Sequence, residues 1–309
     1  MLNPARQAGL ARHEAGQALL IVLLSMAVVL TIVLSIFSNS VTDIAVTTSE
    51  AESLRAFSAA EAGIEKALIA LTAQSGSFGE DLFQTSVTNF AEGLTSFVYP
   101  VDLASGDDAV LWLVSHNAND DLSCADSAKP CFRGSKVAVC WGRAGTPSNS
   151  ATTPAIEASV YYSSPPVSGS NYGGVVVARE VSDPNSTRRT TNKFTAPDAG
   201  GCTIDGKAFA FKKILDFSTL GIPASSYSNQ NGLQFAQVRM IYNTDTSQTI
   251  GFDAKIVGAG NTPFPSQGRQ ILSQGTAGEA TRKVEVYRLY GSIASSMSAS
   301  IFSGGSLSK

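Results

Sequence analysis

Histidine is almost absent from this chain of 309 residues: His13 and His116 are the only two. Beyond the first turns of the chain, any Ser-His-Asp triad or histidine-based metal site would have to use His116 alone. P-loop, HExxH and GxGxxG patterns are missing as well. Enzymatic activity is therefore not expected, and His116, beside an Asn/Asp cluster, is expected at the surface. Charge is scarce at 15% of residues, and the net value of −3 offers no basic face for nucleic acid. The four cysteines, Cys124, Cys131, Cys140 and Cys202, include no CxxC pair, which argues against a zinc ribbon or a thioredoxin-like motif. Residues 15–42 contain no charged residue at all.

That last absence is also the strongest positive signal. The apolar core runs from Ala18 to Phe37, interrupted only by Ser25, Thr31 and Ser35. As a helix it would be about 30 Å long, the thickness of a bilayer's hydrocarbon. A secretory signal has a shorter apolar region and a small-residue cleavage site behind it, so a retained transmembrane helix is expected. Arg6 and Arg12 precede the span, and the next basic residue is Arg55. The positive-inside bias puts the N-terminus in the cytoplasm and the rest outside. A cytoplasmic-membrane protein with a single span is expected.

The run Arg12-His13-Glu14-Ala15-Gly16-Gln17-Ala18-Leu19-Leu20-Ile21 resembles a class III leader, the prepilin signal of type IV pili and type II secretion. The resemblance implies a leader of residues 1–16, cleavage by prepilin peptidase between Gly16 and Gln17, and N-methylation of Gln17. One position departs from the family: major pilins carry Glu as the fifth mature residue, and here Ile21 stands there. Without that carboxylate a subunit cannot neutralise a neighbour's terminal amine in an apolar setting, where an unpaired charge is costly. It suits a cap position better than a repeated one. K-type minor pseudopilins and many PilX-type minor pilins share the absence.

Beyond the span, Ile44, Ala51, Leu54, Phe57, Ala60, Ile64, Leu68 and Leu71 recur at helical spacing, interleaved with Glu50, Glu52, Arg55, Glu61, Glu65 and Lys66. An amphipathic half over 42–72 is predicted, within a helical region 17–75 that stops near Gln74-Ser75-Gly76. Poor helix formers such as Ser38, Asn39, Ser40, Thr47 and Thr48 leave a break between Ser35 and Thr48 open. Ala56-Phe57-Ser58-Ala59-Ala60-Glu61-Ala62-Gly63-Ile64-Glu65 is similar to the "AFxAAEAGxE" signature of the PilX N-terminal family. Its small residues, Ala56, Ala59, Ala60, Ala62 and Gly63, let another element approach the backbone closely, with Phe57 and Ile64 as bulk at either end. The competing reading is a helix packed on its own domain, and in this family both are expected.

After Gly76 the hydrophobic period moves towards two. Strands are predicted at Thr95–Val101, Val110–Ser115, Lys136–Gly142, Ile156–Tyr162, Gly174–Arg179, Lys207–Phe211, Leu233–Tyr242, Thr249–Val257, Gln270–Ser273 and Arg282–Leu289, with a short helix at Leu82–Phe90. The pair around Gly268–Gly275 and Arg282–Arg288 resembles the final hairpin of many minor pilins. The expected fold class is α+β: a long hydrophobic-to-amphipathic N-terminal helix, a pilin-like spine, then a mainly antiparallel β-rich head over 76–291. A sandwich or two sub-sheets would hold that many strands, and a Ser/Gly-rich tail follows over 292–309.

An even cysteine count in a membrane-crossing chain favours disulfides, and four cysteines allow three pairings. Cys124–Cys131 would close a short loop and Cys140–Cys202 would join two strands. Buried free thiols are the alternative. Asn117, Asn119, Asp120 and Asp121 supply alternating oxygen ligands such as calcium takes, and some K-type pseudopilins bind it, but the EF-hand Gly and bidentate Glu are missing. A solvated loop is the other reading, and no other cofactor is expected. Asn185-Ser186-Thr187 has the form of a glycosylation acceptor.

The resemblance implies a minor pilin or pseudopilin acting in assembly, initiation or tip capping of a type IV pilus-like filament. Its partners would be other pilins through the helix, prepilin peptidase and the inner-membrane assembly platform. The head would be exposed at the cell surface or pilus for contact with a surface, DNA or a secreted protein. A non-polymerising single-span surface protein with a binding head is the alternative, and an anchored enzyme a third.

Overall fold

The computed structural model describes residues 7–117, 120–129, 131–164, 175–255 and 262–291, with side chains from Gln17 onward. Residues 1–6 of the expected leader, Asn119, Gly174, the end of the predicted strand at Val257 and the tail 292–309 lie outside the described residues. In chain order the elements are helix α1 (Gln7–Ala70), then strands β1 (Ser75–Phe78), β2 (Asp81–Phe90), β3 (Ser96–Val98) and β4 (Asp108–Trp112). Next come β5 (Lys136–Arg143), β6 (Ala155–Ser163), β7 (Val175–Ser182), helix α2 (Ser186–Asn192), β8 (Cys202–Ile204) and β9 (Lys207–Asp216). Helix α3 (Ala224–Ser228), β10 (Leu233–Ile241), β11 (Ile250–Asp253), β12 (Gly268–Ala277) and β13 (Ala280–Leu289) complete the order. This is an α+β chain, a long apolar N-terminal helix followed by antiparallel sheets.

The chain divides into two compact units, residues 1–86 with 272–285, and residues 87–271 with 286–309. The first holds α1 and a sheet of order β1-β2-β12-β13. Helix α1 is unbroken between Ser35 and Thr48. There the hydroxyls of Thr42 and Thr47 donate to the carbonyls of Ser38 and Asp43, at 2.9 and 2.8 Å. These bonds satisfy the hydroxyls without interrupting the helix, and by themselves they slightly weaken it. The helix stops at Ala70, earlier than predicted. Leu71 takes a left-handed φ of 53° while its N–H still reaches the Ala67 carbonyl at 2.8 Å.

Residues 82–90 form a strand and not the short helix predicted. Phe83 and Thr85 are buried, while Leu82, Gln84 and Ser86 point outward. That period of two, with a β-branched residue on the buried face, outweighs the local helix preference of a short segment.

The second unit is a sandwich of two sheets, β4-β10-β6-β7 and β3-β11-β5-β9-β8. Alternate residues of each face one core: Leu111 and Leu113, Ile156 and Val160, and Val238 and Met240 from one sheet, and Val137, Val139, Trp141 and Phe252 from the other. Of the three possible pairings, the structure holds Cys124–Cys131 and Cys140–Cys202. The second joins β5 to β8, the strands on either side of β9. Its loop, with a sequence separation of 62, is worth about 4 kcal/mol on the loop-entropy scale, against about 2 kcal/mol for the separation of 7.

His116 is buried and not at the surface. Its ring stacks on Tyr290 at 3.8 Å and meets the edge of Trp112 at 4.6 Å. The strand Asp108–Trp112 carries Trp112 on the face opposite the main core, and His116 follows four residues later to close that aromatic cluster. Burial pushes the imidazole down to about 4, opposed by the Asp120 carboxylate. The unfolded chain then binds a proton that the folded chain refuses between pH 6.5 and about 4. Stability is therefore full above pH 6.5 and falls as pH drops through that window, by up to about 3 kcal/mol. In His116→Phe, urea unfolding followed across that range is expected to lose most of this slope.

Candidate functional site

The longest continuous surface the sequence singles out is α1, and its two halves differ in what covers them. From Leu19 to Phe37, fifteen large apolar side chains are each at least 40% exposed. Each would give about 1.5–3 kcal/mol on full burial, so together they cannot remain in water. The described chain has one helix long and apolar enough to cross a membrane, and it lies near the N-terminus. Gly16 and Gln17 both lie inside this helix.

The second half docks on its own sheet through small residues. Ala56, Ala59, Ala60, Gly63, Ile64 and Ala67 are buried. The partner at the closest point is Gly275 of β12. A Cβ placed there would lie 2.0 Å from the Ala56 carbonyl oxygen and 2.5 Å from the Ala60 nitrogen. Backbone meets backbone, which only glycine opposite alanine permits. At Gly63 a Cβ would meet Ser273 Oγ at 2.4 Å and the Phe83 ring at 2.9 Å. The motif residues thus split: Ala56, Ala59, Ala60 and Gly63 face the sheet, Ala62 is half-buried, and Phe57, Glu61 and Glu65 point to solvent. Phe57 is 43% exposed and Leu54 68%. Of the predicted stripe, Ala60 and Ile64 face the sheet, Leu68 and Leu71 are half-buried, and Ile44, Ala51, Leu54 and Phe57 point outward. A flat sheet crossed by a backbone-close helix selects small side chains and turns large ones outward.

Polar contacts fix the register. The N–H of Glu279, in the β12–β13 turn, donates to Glu52 Oε2 at 3.2 Å. Arg282 donates through Nε and Nη2 to Ser53 Oγ at 2.8 and 2.6 Å. Arg55 lies 3.7 Å from Asp81, and the Lys66 ammonium sits 4.7 Å above the Phe83 ring.

The other sequence candidates resolve differently. Asn117 and Asp121 close a turn on each other: the Asp121 N–H donates to Asn117 Oδ1 at 3.0 Å, and the Asn117 N–H to the Asp121 carbonyl at 2.8 Å. Asp120 sits within that turn at a left-handed φ of 62°. Among the described residues no group of three or more His, Cys, Asp or Glu is placed to hold a metal. Asn185 is buried as the N-cap of α2: its Oδ1 accepts from the Arg188 N–H and its Nδ2 donates to the Ser150 carbonyl at 3.0 Å. Its amide is engaged in the fold and not displayed.

Sequence reasoning did not find the polar lock that follows β7. Asp183, with its side chain fully buried, accepts from Arg188 Nε and Nη2 at 2.7 Å each, from Asn192 Nδ2 at 2.7 Å and from the Asn185 N–H at 2.8 Å. Burial alone would push its carboxyl up; the Arg188, Asn185 and Asn192 hydrogen bonds outweigh it and hold the group below the usual carboxylate range. Arg188 also donates to the Ala151 and Thr153 carbonyls, at 2.8 and 2.7 Å, and lies 3.8 Å over the Tyr242 ring. The signal was present as Asp-Pro-Asn-Ser-Thr followed by two arginines, a capped helix start.

Fold and helix together define a class: an α+β protein with two disulfides and, among the described residues, one candidate membrane span near its N-terminus. No family model, curated protein or solved structure matches the chain.

Proposed function

We propose that this chain is a minor pilin or pseudopilin of the PilX-like kind, working in the assembly, initiation or tip capping of a type IV pilus-like filament. The observation that carries the reading is the contrast along one unbroken helix. Its first half offers an apolar surface that none of the described residues covers, and its second half is bound to the protein's own sheet. Such a rod is stored in lipid. It leaves only if sister helices bury comparable apolar area against it. The leader ending at Gly16, the Ala56–Glu65 signature and the disulfides support the same reading, since disulfides belong to an oxidising compartment.

The test is N-terminal mass spectrometry of the protein from the membrane fraction of its own cells. A mature chain beginning at methylated Gln17 is expected. A chain beginning at Met1 would turn the reading to a plain membrane anchor that never polymerises.

A further inference from the structure

A sheet edge is a row of main-chain donors and acceptors open to any passing strand, and folds keep such rows short or closed. The second unit does both, with one exception among the described residues. Gln267 closes β4: its Oε1 accepts from the Trp112 N–H at 2.7 Å and its Nε2 donates to the Trp112 carbonyl at 3.0 Å. Asp198 closes β9 past the end of β8. Its N–H donates to the Lys212 carbonyl at 2.7 Å and its Oδ2 accepts from the Ile214 N–H at 2.6 Å. The edge strands β3 and β8 have three residues each. Thr195 closes the far end of β7, donating to the Val181 carbonyl at 3.2 Å and accepting from the Asp183 N–H at 2.9 Å.

No described residue closes the near end of β7. Val181 turns its carbonyl away from β6, so by the alternation of the strand Val177 and Val175 turn their main-chain groups the same way. Ser163, opposite Val175, agrees: its N–H goes to the Gly232 carbonyl, away from β7. Val175, Val176 and Val177 are 37, 45 and 38% exposed. Neither proline nor charge blunts the stretch, and Arg179, the first charge beyond it, is paired with Glu157 at 3.2 Å.

One row of paired residues leads from this spot to the end of β13. Val177 lies opposite Tyr161, Tyr161 opposite Phe235, and Phe235 opposite Trp112. His116 meets Trp112 and stacks on Tyr290. Three strand spacings, about 14 Å, separate β4 from β7. Residues 291–295, fully extended, span about 17 Å. Then Ser296-Met297-Ser298-Ala299-Ser300-Ile301 alternates polar and apolar at every step, the pattern of a strand with one apolar face, and no residue from 292 to 308 is charged.

We infer that residues 296–301 of the chain's own tail add to β7 as a further strand across Val177 and Val175. Thr195 occupies the Val181 end, so a strand arriving at Val177 runs towards Val175, antiparallel to β7. With Met297 beside Val177, Ala299 falls beside Val175, and apolar meets apolar. The inference goes beyond the assembly reading and stands without it.

The test is hydrogen exchange of the full chain in phosphatidylcholine nanodiscs, read at the Val175 and Val177 amides by electron-transfer fragmentation. Both amides are expected to exchange at least about tenfold more slowly in the parent than in Met297→Asp with Ala299→Asp. The Val139 amide, in β5, is expected to stay unchanged and reports an intact fold. A second variant ending at Gly291 is expected to lose the same protection. It is also expected to bind a synthetic peptide of residues 292–303 at least about tenfold more tightly than the parent does, because its edge is vacant. Equal exchange in parent and variants would overturn the inference: fast in all, the edge is open; slow in all, something other than the tail closes it. Protection that rises with protein concentration would overturn it as well, by giving the edge to a second copy.

Discussion

Gly275→Val is expected to release the second half of α1 from its sheet. The wild-type position leaves no room for any side chain: a Cβ would stand 2.0 Å from a helix carbonyl and 2.5 Å from a helix nitrogen. Backbone atoms cannot rotate away as a side-chain tip can, so helix or strand must shift. Overpacking of a well-filled site commonly costs about 1–3 kcal/mol, and a backbone-to-backbone collision belongs at or above the upper end. Gly63 provides the control. There the nearest obstacle is the Ser273 hydroxyl, which can turn, so Gly63→Ala is expected to cost less than Gly275→Ala. Hydrogen exchange over residues 52–70 would measure both. The prediction fails if Gly275→Val protects those amides as well as the parent does.

Asp183→Ala is expected to destabilise the second unit by about 3–5 kcal/mol, since it leaves the largely buried Arg188 guanidinium without its counter-charge. The loss would be accompanied by two unmet donors, Asn192 Nδ2 and the Asn185 N–H. Arg188→Ala should also be costly, because it strips the Ala151 and Thr153 carbonyls of a donor and Tyr242 of its cation. The double substitution should cost clearly less than the sum of the two, since these residues act as one network. Urea unfolding of the three variants in detergent checks the cycle; strict additivity would show that the lock is not a coupled unit.

The sequence made the large divisions legible because they rest on period and charge. A charge-free stretch from residue 15 to 42 announces a span, and the switch from a period of 3.6 to one of two announces the end of the helix and the start of sheets. Most predicted strands lie where the structure has strands, within a few residues. What stayed hidden depends on contacts between distant positions. Small residues at 56, 59, 60 and 63 reveal that something approaches the helix, but only the fold shows Gly275 as the partner. For the same reason Phe57 looked like packing bulk and is turned outward. His116 looked exposed because its neighbours in sequence are polar, whereas its neighbours in space are Trp112 and Tyr290. The strand at 82–90 was masked by a short apolar-polar run that suits either period. The cysteine pairing needed the placement of β5 and β8 on the two sides of β9, which no spacing encodes.

The grip of the β12–β13 turn on Glu52 has a mechanical meaning. Glu52 sits at the end of the docked segment nearest the span, and the turn clasps it while the side chain of Ser53 is held by Arg282. A pull along the rod from its greasy end arrives at this clasp before it reaches the alanine face behind it. Those few polar bonds act as a strain relief, loaded in shear together with the first close-packed turn instead of being peeled one residue at a time. A load carried along the rod would thus reach the turn and the first close-packed helical turn together, and not the alanine face residue by residue.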